Sequence, residues 1–324
     1  MTKAIRMHET GGPEVLKYED VELQPPGAGE VRVRHRSIGL NFIDTYHRSG
    51  LYPVPLPSGL GLEAAGVVEE LGPGVEALVP GDRVAYGTGP LGACSEAANR
   101  PVSQLVRIPD GVDDDQAAAI MLKGMTAGYL LTMTRPVSAG DTIVIHAAAG
   151  GTGLLMVQWA RHLGARVIGV VGNDDKAALA REHGCDEIIL RGRDDLVTEV
   201  RRLTDGAGVP VVFDSVGRAT FEASIDCLVP RGMLVSFGNA SGPAPPVDPG
   251  MLAAKGSLYF TRPTLASYAG TREELDHLAG QVFDLVTRGI LRIRIEQRYP
   301  LAETMQAHRD LEAGRTRGAS ILQP

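Results

Sequence analysis

Residues 146–153 read HAAAGGTG, with a strand-like apolar run before them and a helix-like run after. Glycines at such a place let backbone and an anion approach where a Cβ would stand in the way. The pattern is Ala147-x-x-Gly150-x-x-Gly153 in place of a full G-x-G-x-x-G. Gly150 and Gly151 allow close approach to a pyrophosphate. Thr152 continues the turn, and Gly153 lets the helix sit against the strand with its first N–H groups toward the anion. A tight strand-to-helix turn without a ligand would carry the same glycines, but the α/β run that follows favours a dinucleotide.

The form of the dinucleotide is read one strand later. A site for NADH places an acidic side chain at the end of its second strand, on the ribose 2′-hydroxyl. Here RVIGVV ends in Gly172 and Asn173, and Lys176 and Arg191 lie beyond. A small residue flanked by two cations suits a 2′-phosphate, so NADPH is expected over NADH. Asp174 and Asp175 count the other way, unless they are first-turn residues favoured by the helix dipole.

The elements that must hold these residues change character along the chain. The first ~120 residues read as short β-rich segments parted by turns such as PPGAGE and IPDGVD, which suits a small, partly open barrel. From about Gly124, strands such as TIVIHA, RVIGVV and VPVVFD alternate with helices such as GLLMVQWARHLG and DDKAALAREHG. That alternation predicts a doubly wound parallel sheet. The chain then returns through REELDHLAGQVFDLVTRG and RIRIEQRY. The expected architecture is α/β: residues 124–264 form a dinucleotide-binding domain inserted into a β domain made of 1–123 and 265–324.

Other classes are disfavoured. The net charge is −7 and no Lys/Arg cluster alternates with aromatics, so nucleic acid is not an expected partner. No apolar run approaches the ~18 residues of a membrane span, and MTKAIRMHET has no signal-like core, so a cytoplasmic protein is expected. Cys94, Cys185 and Cys227 are scattered and match neither a disulfide framework nor a metal knuckle. The eight histidines show no ligand spacing with them.

NFIDTYHRSGLYP, LPSGLGLEAAGVV, HAAAGGTG, FDSVG, RGMLVSFGNASG and KGSLYFTRP together resemble the NADPH:quinone oxidoreductase branch, related to ζ-crystallin, of the medium-chain dehydrogenase/reductase superfamily. The resemblance spans nearly the whole chain. It implies a GroES-like catalytic domain around an inserted Rossmann domain, and a homodimer joined through an edge strand at GSLYFTRP. Zinc alcohol dehydrogenases of the superfamily carry Gly-His-Glu where this chain has Gly61-Leu62-Glu63, so no zinc is expected. A quinone needs no Lewis acid, because its carbonyls are already electron-poor. By resemblance, Asn41 and Tyr46 lie beside the nicotinamide and either could hydrogen-bond a quinone oxygen, with Tyr52 a weaker candidate. Asn41 could equally cap a loop, and Tyr46 could simply pack. Thr126, the Ser215-Val216-Gly217 turn and Ser236–Asn239, which includes Phe237 and Gly238, are implied along the cofactor, and Arg317 is a possible contact. Glu63 reads as structurally paired. The implied reaction is NADPH-dependent quinone reduction. The alternatives are a zinc-free alkenal or enoyl reductase, or a cofactor-binding protein with a non-catalytic role.

Overall fold

Short apolar runs punctuated by Gly and Pro become strands in the computed structural model, which describes every residue from Met1 to Pro324. They are β1 (Thr2–Met7), β2 (Leu16–Val21), β3 (Glu30–Leu40), β4 (Ser58–Gly59), β5 (Glu63–Leu71), β6 (Arg83–Tyr86), β7 (Ala97–Pro101) and β8 (Val106–Arg107). In β3, Val31, Val33, His35 and Ser37 are buried, while Arg34 and Arg36 between them are exposed. This is the two-residue period of a strand with one face on a core. The expectation that this region is all β needs correction. Helix α1 (Phe42–Ser49) follows β3, and α2 (Asp114–Tyr129) begins ten residues before Gly124. The run Ala117–Met121 is buried throughout, so α2 has no polar stripe to announce it.

The next stretch is strictly alternating: β9 (Thr142–His146), α3 (Gly151–His162), β10 (Arg166–Val171), α4 (Asp174–Glu182), β11 (Glu187–Leu190), α5 (Leu196–Leu203), β12 (Val209–Asp214), α6 (Phe221–Asp226), β13 (Leu228–Ser236), α7 (Pro249–Ala254) and β14 (Tyr259–Thr261). The six strands are all parallel, in the order β11-β10-β9-β12-β13-β14. Strands covered on both faces need continuous apolar runs, and Ile143–Ile145 and Val211–Phe213 are fully buried. The order reverses between β9 and β12, the switch point at which open α/β sheets bind ligands beyond their carboxyl ends.

The chain ends with α8 (Arg272–Thr287), β15 (Ile295–Pro300), α9 (Thr304–Glu312) and β16 (Ala319–Gln323). β16 pairs antiparallel with β3, extending one sheet in the order β15-β16-β3-β5-β6-β8, with β7 also on β3. Two compact units result: Met1–Met125 with Tyr268–Pro324, and Thr126–Ser267. In the first, buried Arg48 ties α1 to α9 by a bidentate pair with Glu312 at 2.6 and 3.0 Å.

One buried histidine gives that unit a pH dependence. His35 Nδ1 donates to the Ser95 carbonyl at 2.6 Å, and Tyr86 Oη donates to Nε2 at 2.8 Å, so the ring is neutral. Burial holds its pKa down to about 3, against an ordinary 6.5. The unfolded chain therefore binds a proton below pH 6.5 that the folded chain refuses, and this stability is lost as pH falls from 6.5 toward 3. His35→Gln should destabilise at pH 7.5, and the gap from the parent should narrow by about 2–3 kcal/mol at pH 4.5. Urea unfolding at both pH values measures it; an unchanged gap would refute the assignment.

Candidate active site

The glycine run forms the turn from β9 to α3. Ala147, at the place of the first fingerprint glycine, is held at φ +51, a left-handed conformation that glycine adopts at less cost. Gly150 donates its N–H to the Ala147 carbonyl at 2.9 Å and caps α3 without a side-chain cap. The first N–H groups of a helix have no partner inside it, so those of Gly151, Thr152 and Gly153 are available to an anion. A Cβ on Gly153 would lie 2.2 Å from the Ala147 oxygen. Glycine is thus required there for α3 to sit this close to β9.

The remaining candidates of this unit gather at the same sheet edge. Gly172 follows β10, with no atom within 4 Å of a Cβ built on it. The Asn173 side chain caps α4 by accepting from the Lys176 N–H at 2.9 Å. Arg191 follows β11. The Lys176 ammonium is held below its usual pKa, first by burial and then by the Arg191 charge. Two neighbouring cations that repel each other are what a dianionic phosphate would neutralise. Asp174 instead faces Arg193 at 3.5 Å and is highly exposed. The Val216 turn and the Phe237-Gly238 pair follow β12 and β13, and a Cβ on Gly238 would fall 2.4 Å from the Ser215 oxygen. These features fit a dinucleotide carrying a 2′-phosphate.

Besides its turn, FDSVG contributes its aspartate, a site residue not singled out above. Asp214, 1% exposed, accepts from the N–H groups of Val216 (2.7 Å) and Gly217 (3.0 Å) and from the hydroxyls of Thr220 (2.7 Å) and Ser224 (3.0 Å). Ser224 in turn accepts from His146 Nε2 at 2.9 Å. One carboxylate thus fixes the turn after β12 and, through Ser224, the end of β9. An acid closing an apolar strand before a Ser-Val-Gly turn was the available signal.

In the other unit, Asn41 caps α1 with a reciprocal box: Asp44 accepts the Asn41 N–H at 2.9 Å, and the Asn41 side chain accepts from the Asp44 backbone. The Asn41 amide donates to Glu63 Oε2 at 2.8 Å and toward the Gly39 carbonyl at 3.3 Å, so its polar atoms are committed inside the protein. Glu63 is fully buried and also accepts from Lys123 Nζ at 2.6 Å and the Leu122 N–H at 2.7 Å. Lys123 was not picked out from the sequence, where it stands 60 positions from its partner. Tyr46, 7% exposed, packs edge-on against Tyr52 at 5.2 Å and near Phe42 at 5.7 Å. Arg317 faces Glu296 at 3.3 Å, and Thr126 lies on α2. No three His, Cys, Asp or Glu side chains gather closely enough to hold a metal.

Residues 27–135 match the alcohol dehydrogenase GroES-like domain, and residues 151–279 match the zinc-binding dehydrogenase family. A quinone oxidoreductase of Pseudomonas aeruginosa is 55% identical, over 100% of both chains. The crystal structure of Escherichia coli quinone oxidoreductase complexed with NADPH has a TM-score of 0.98 and 46% identity, covering 99% of this chain and 100% of that one. A 2-haloacrylate reductase of a Burkholderia species is 45% identical over 100% of this chain and 99% of its own.

Proposed function

We propose that this chain, which belongs to the zinc-free quinone oxidoreductase branch of the medium-chain dehydrogenase/reductase superfamily, reduces quinones with NADPH. The observation that carries the reading is the carboxyl edge of the parallel sheet, where a glycine cradle, two mutually repelling cations and a carboxylate-fixed turn stand together. Bound there, NADPH supplies the hydride. In this reading the N–H groups of Gly151, Thr152 and Gly153 hold the pyrophosphate, and Lys176 and Arg191 hold the 2′-phosphate beside Gly172. Val216, Phe237, Gly238 and Thr126 orient the nicotinamide, with Asp214 setting the turn. Asn41 contributes by fixing the start of α1, on which Tyr46 offers an aromatic wall and a hydroxyl to a quinone. Arg317 is an additional cofactor contact if it leaves Glu296. The cofactor domain spans residues 124–264, and 1–123 with 265–324 form the catalytic domain.

The 2-haloacrylate reductase relative supports a second reading, hydride addition to an electron-poor carbon–carbon double bond. That chemistry needs a proton at the neighbouring carbon, for which Tyr46 on α1 is the candidate. Steady-state NADPH oxidation with a quinone panel and an unsaturated-acid panel separates the two. Quinone turnover that survives Tyr46→Phe supports the first, and turnover confined to unsaturated acids would replace it with the second.

Cofactor choice gives a sharper expectation. A hydrogen bond to a charged group contributes roughly 1.5–3 kcal/mol, and the partial exposure of both cations places them at the lower end. Lys176→Ala and Arg191→Ala should each weaken NADPH about tenfold and leave NADH nearly unchanged. Equal losses for both cofactors would contradict the assignment.

No helix is long and apolar enough to cross a membrane, in keeping with a cytoplasmic location. We also read the protein as a homodimer. β14 is the outer strand of the parallel sheet, with Tyr259 57% exposed, and two such edges can pair across a two-fold axis. A monomeric mass at micromolar concentration would exclude this.

A further inference from the structure

The ion pair between Lys123 and Glu63 is buried and joins α2 to β5. A buried pair adds little stability over apolar side chains of the same shape, because both charges are stripped of water. Yet Lys123 is 5% exposed and Glu63 fully buried. Room for the pair is made deliberately: a Cβ on Gly39 would lie 2.1 Å from Glu63 Oε2 and 2.3 Å from the Ala118 carbonyl. An ammonium carries three donors, and the protein supplies one acceptor, Glu63 Oε2 at 2.6 Å. Glu63 itself accepts from Lys123, Asn41 and the Leu122 N–H. The second acid of the cluster, Asp44, is pushed up to about 7 by burial, so it cancels the ammonium only in part near neutral pH.

Position supplies the second argument. Through Glu63, Lys123 is joined to Asn41 at the start of the helix that bears Tyr46. Along α2 it precedes Thr126 by three residues, which puts both on one helix face. The ammonium is thus tied through Glu63 to Asn41, assigned above to the quinone side, and lies one helical turn from Thr126.

We propose that Lys123 is a catalytic residue, whose ammonium donates a hydrogen bond to the quinone oxygen and stabilises the negative charge that develops there. This rests on the functional reading above. Hydride brings two electrons and one proton to the quinone, leaving NADP+ and a hydroquinone monoanion; solvent supplies the second proton. Lys123 keeps its own protons and acts by charge and hydrogen bonding, as donors aimed at a developing oxyanion do. Glu63 and Asn41 are positioning residues that hold the ammonium in place.

The test compares the full-length protein with Lys123→Met and with Lys123→Met/Glu63→Gln, which leaves no uncompensated charge if the single variant does not fold. NADPH affinity, from nicotinamide fluorescence, should stay within about twofold. The quinone kcat should fall about ten- to a hundredfold in both variants, the range of one hydrogen bond to a charge. A readout apart from turnover is the ionisation of para-nitrophenol bound to the NADP+-loaded protein, followed by its visible absorbance. The parent should favour the phenolate over the phenol, and both variants should lose that preference by a similar factor. A folded double variant with parental kcat, or with parental phenolate preference, would overturn the proposal. If the parent reduces no quinone, the functional reading falls, and the phenolate measurement still decides whether Lys123 stabilises an oxyanion.

Discussion

Gly153→Ala is expected to lower NADPH affinity about a hundredfold. The new Cβ would meet the Ala147 carbonyl oxygen at 2.2 Å and the Ala148 Cα at 2.9 Å. Both are backbone atoms, so no side-chain rotation relieves the clash, and the start of α3 must withdraw from β9. That withdrawal takes the helix N–H groups away from the pyrophosphate, and a hydrogen bond to a charged group is worth roughly 1.5–3 kcal/mol, up to about a hundredfold in affinity. Gly172→Ala is the control at the same sheet edge, because nothing lies within 4 Å of its added Cβ. That variant should fold like the parent. Fluorescence titration with NADPH, read beside thermal melts, measures both. Parental affinity in a folded Gly153→Ala protein would mean that the glycine run does not hold the cofactor.

Glu63→Leu should be among the most damaging substitutions in the other unit. It strands the Lys123 ammonium, the Asn41 amide and the Leu122 N–H without their acceptor. Breaking a buried pair by removing one partner costs about 3–5 kcal/mol. Replacing both members, as Glu63→Leu/Lys123→Leu, should recover much of the loss, since the uncompensated charge is its main source. Urea unfolding of the parent, single and double variants measures the difference. A single variant within about 1 kcal/mol of the parent would show that the buried charge finds another partner.

The parallel sheet was legible because its strands had to be. Covered on both faces, runs such as TIVIH and VPVVFD carry no polar interruptions, and glycine or a capping Asn or Asp marks the turns between them. The two early helices escaped for opposite reasons. α2 is buried over most of its circumference, so DDQAAAIMLKGMTAGY lacks the alternation of faces that identifies a helix, and its two internal glycines mimic breakers. α1 is only eight residues long, but its signals were present: Asn41-x-x-Asp44 as a capping box, and Gly50 at φ +81 to end it. The site divides in the same way. The phosphate-side residues lie within a few positions of strand ends and could be named from local pattern. Lys123 acts through a partner 60 positions away that only the fold brings near, and no spacing rule reaches it. Asp214 was within reach, since it accepts from the N–H groups two and three residues on, as well as from Ser224 ten positions away.

Transfer of hydride from NADPH to a quinone is the central reaction, and anaerobic single turnover observes it directly. The protein, loaded with one equivalent of NADPH, is mixed with a simple para-quinone while the nicotinamide absorbance and the hydroquinone product are followed together. The predicted result is loss of NADPH and appearance of one equivalent of hydroquinone in the same kinetic phase. NADPH that persists at its uncatalysed rate with every quinone tried would contradict the account.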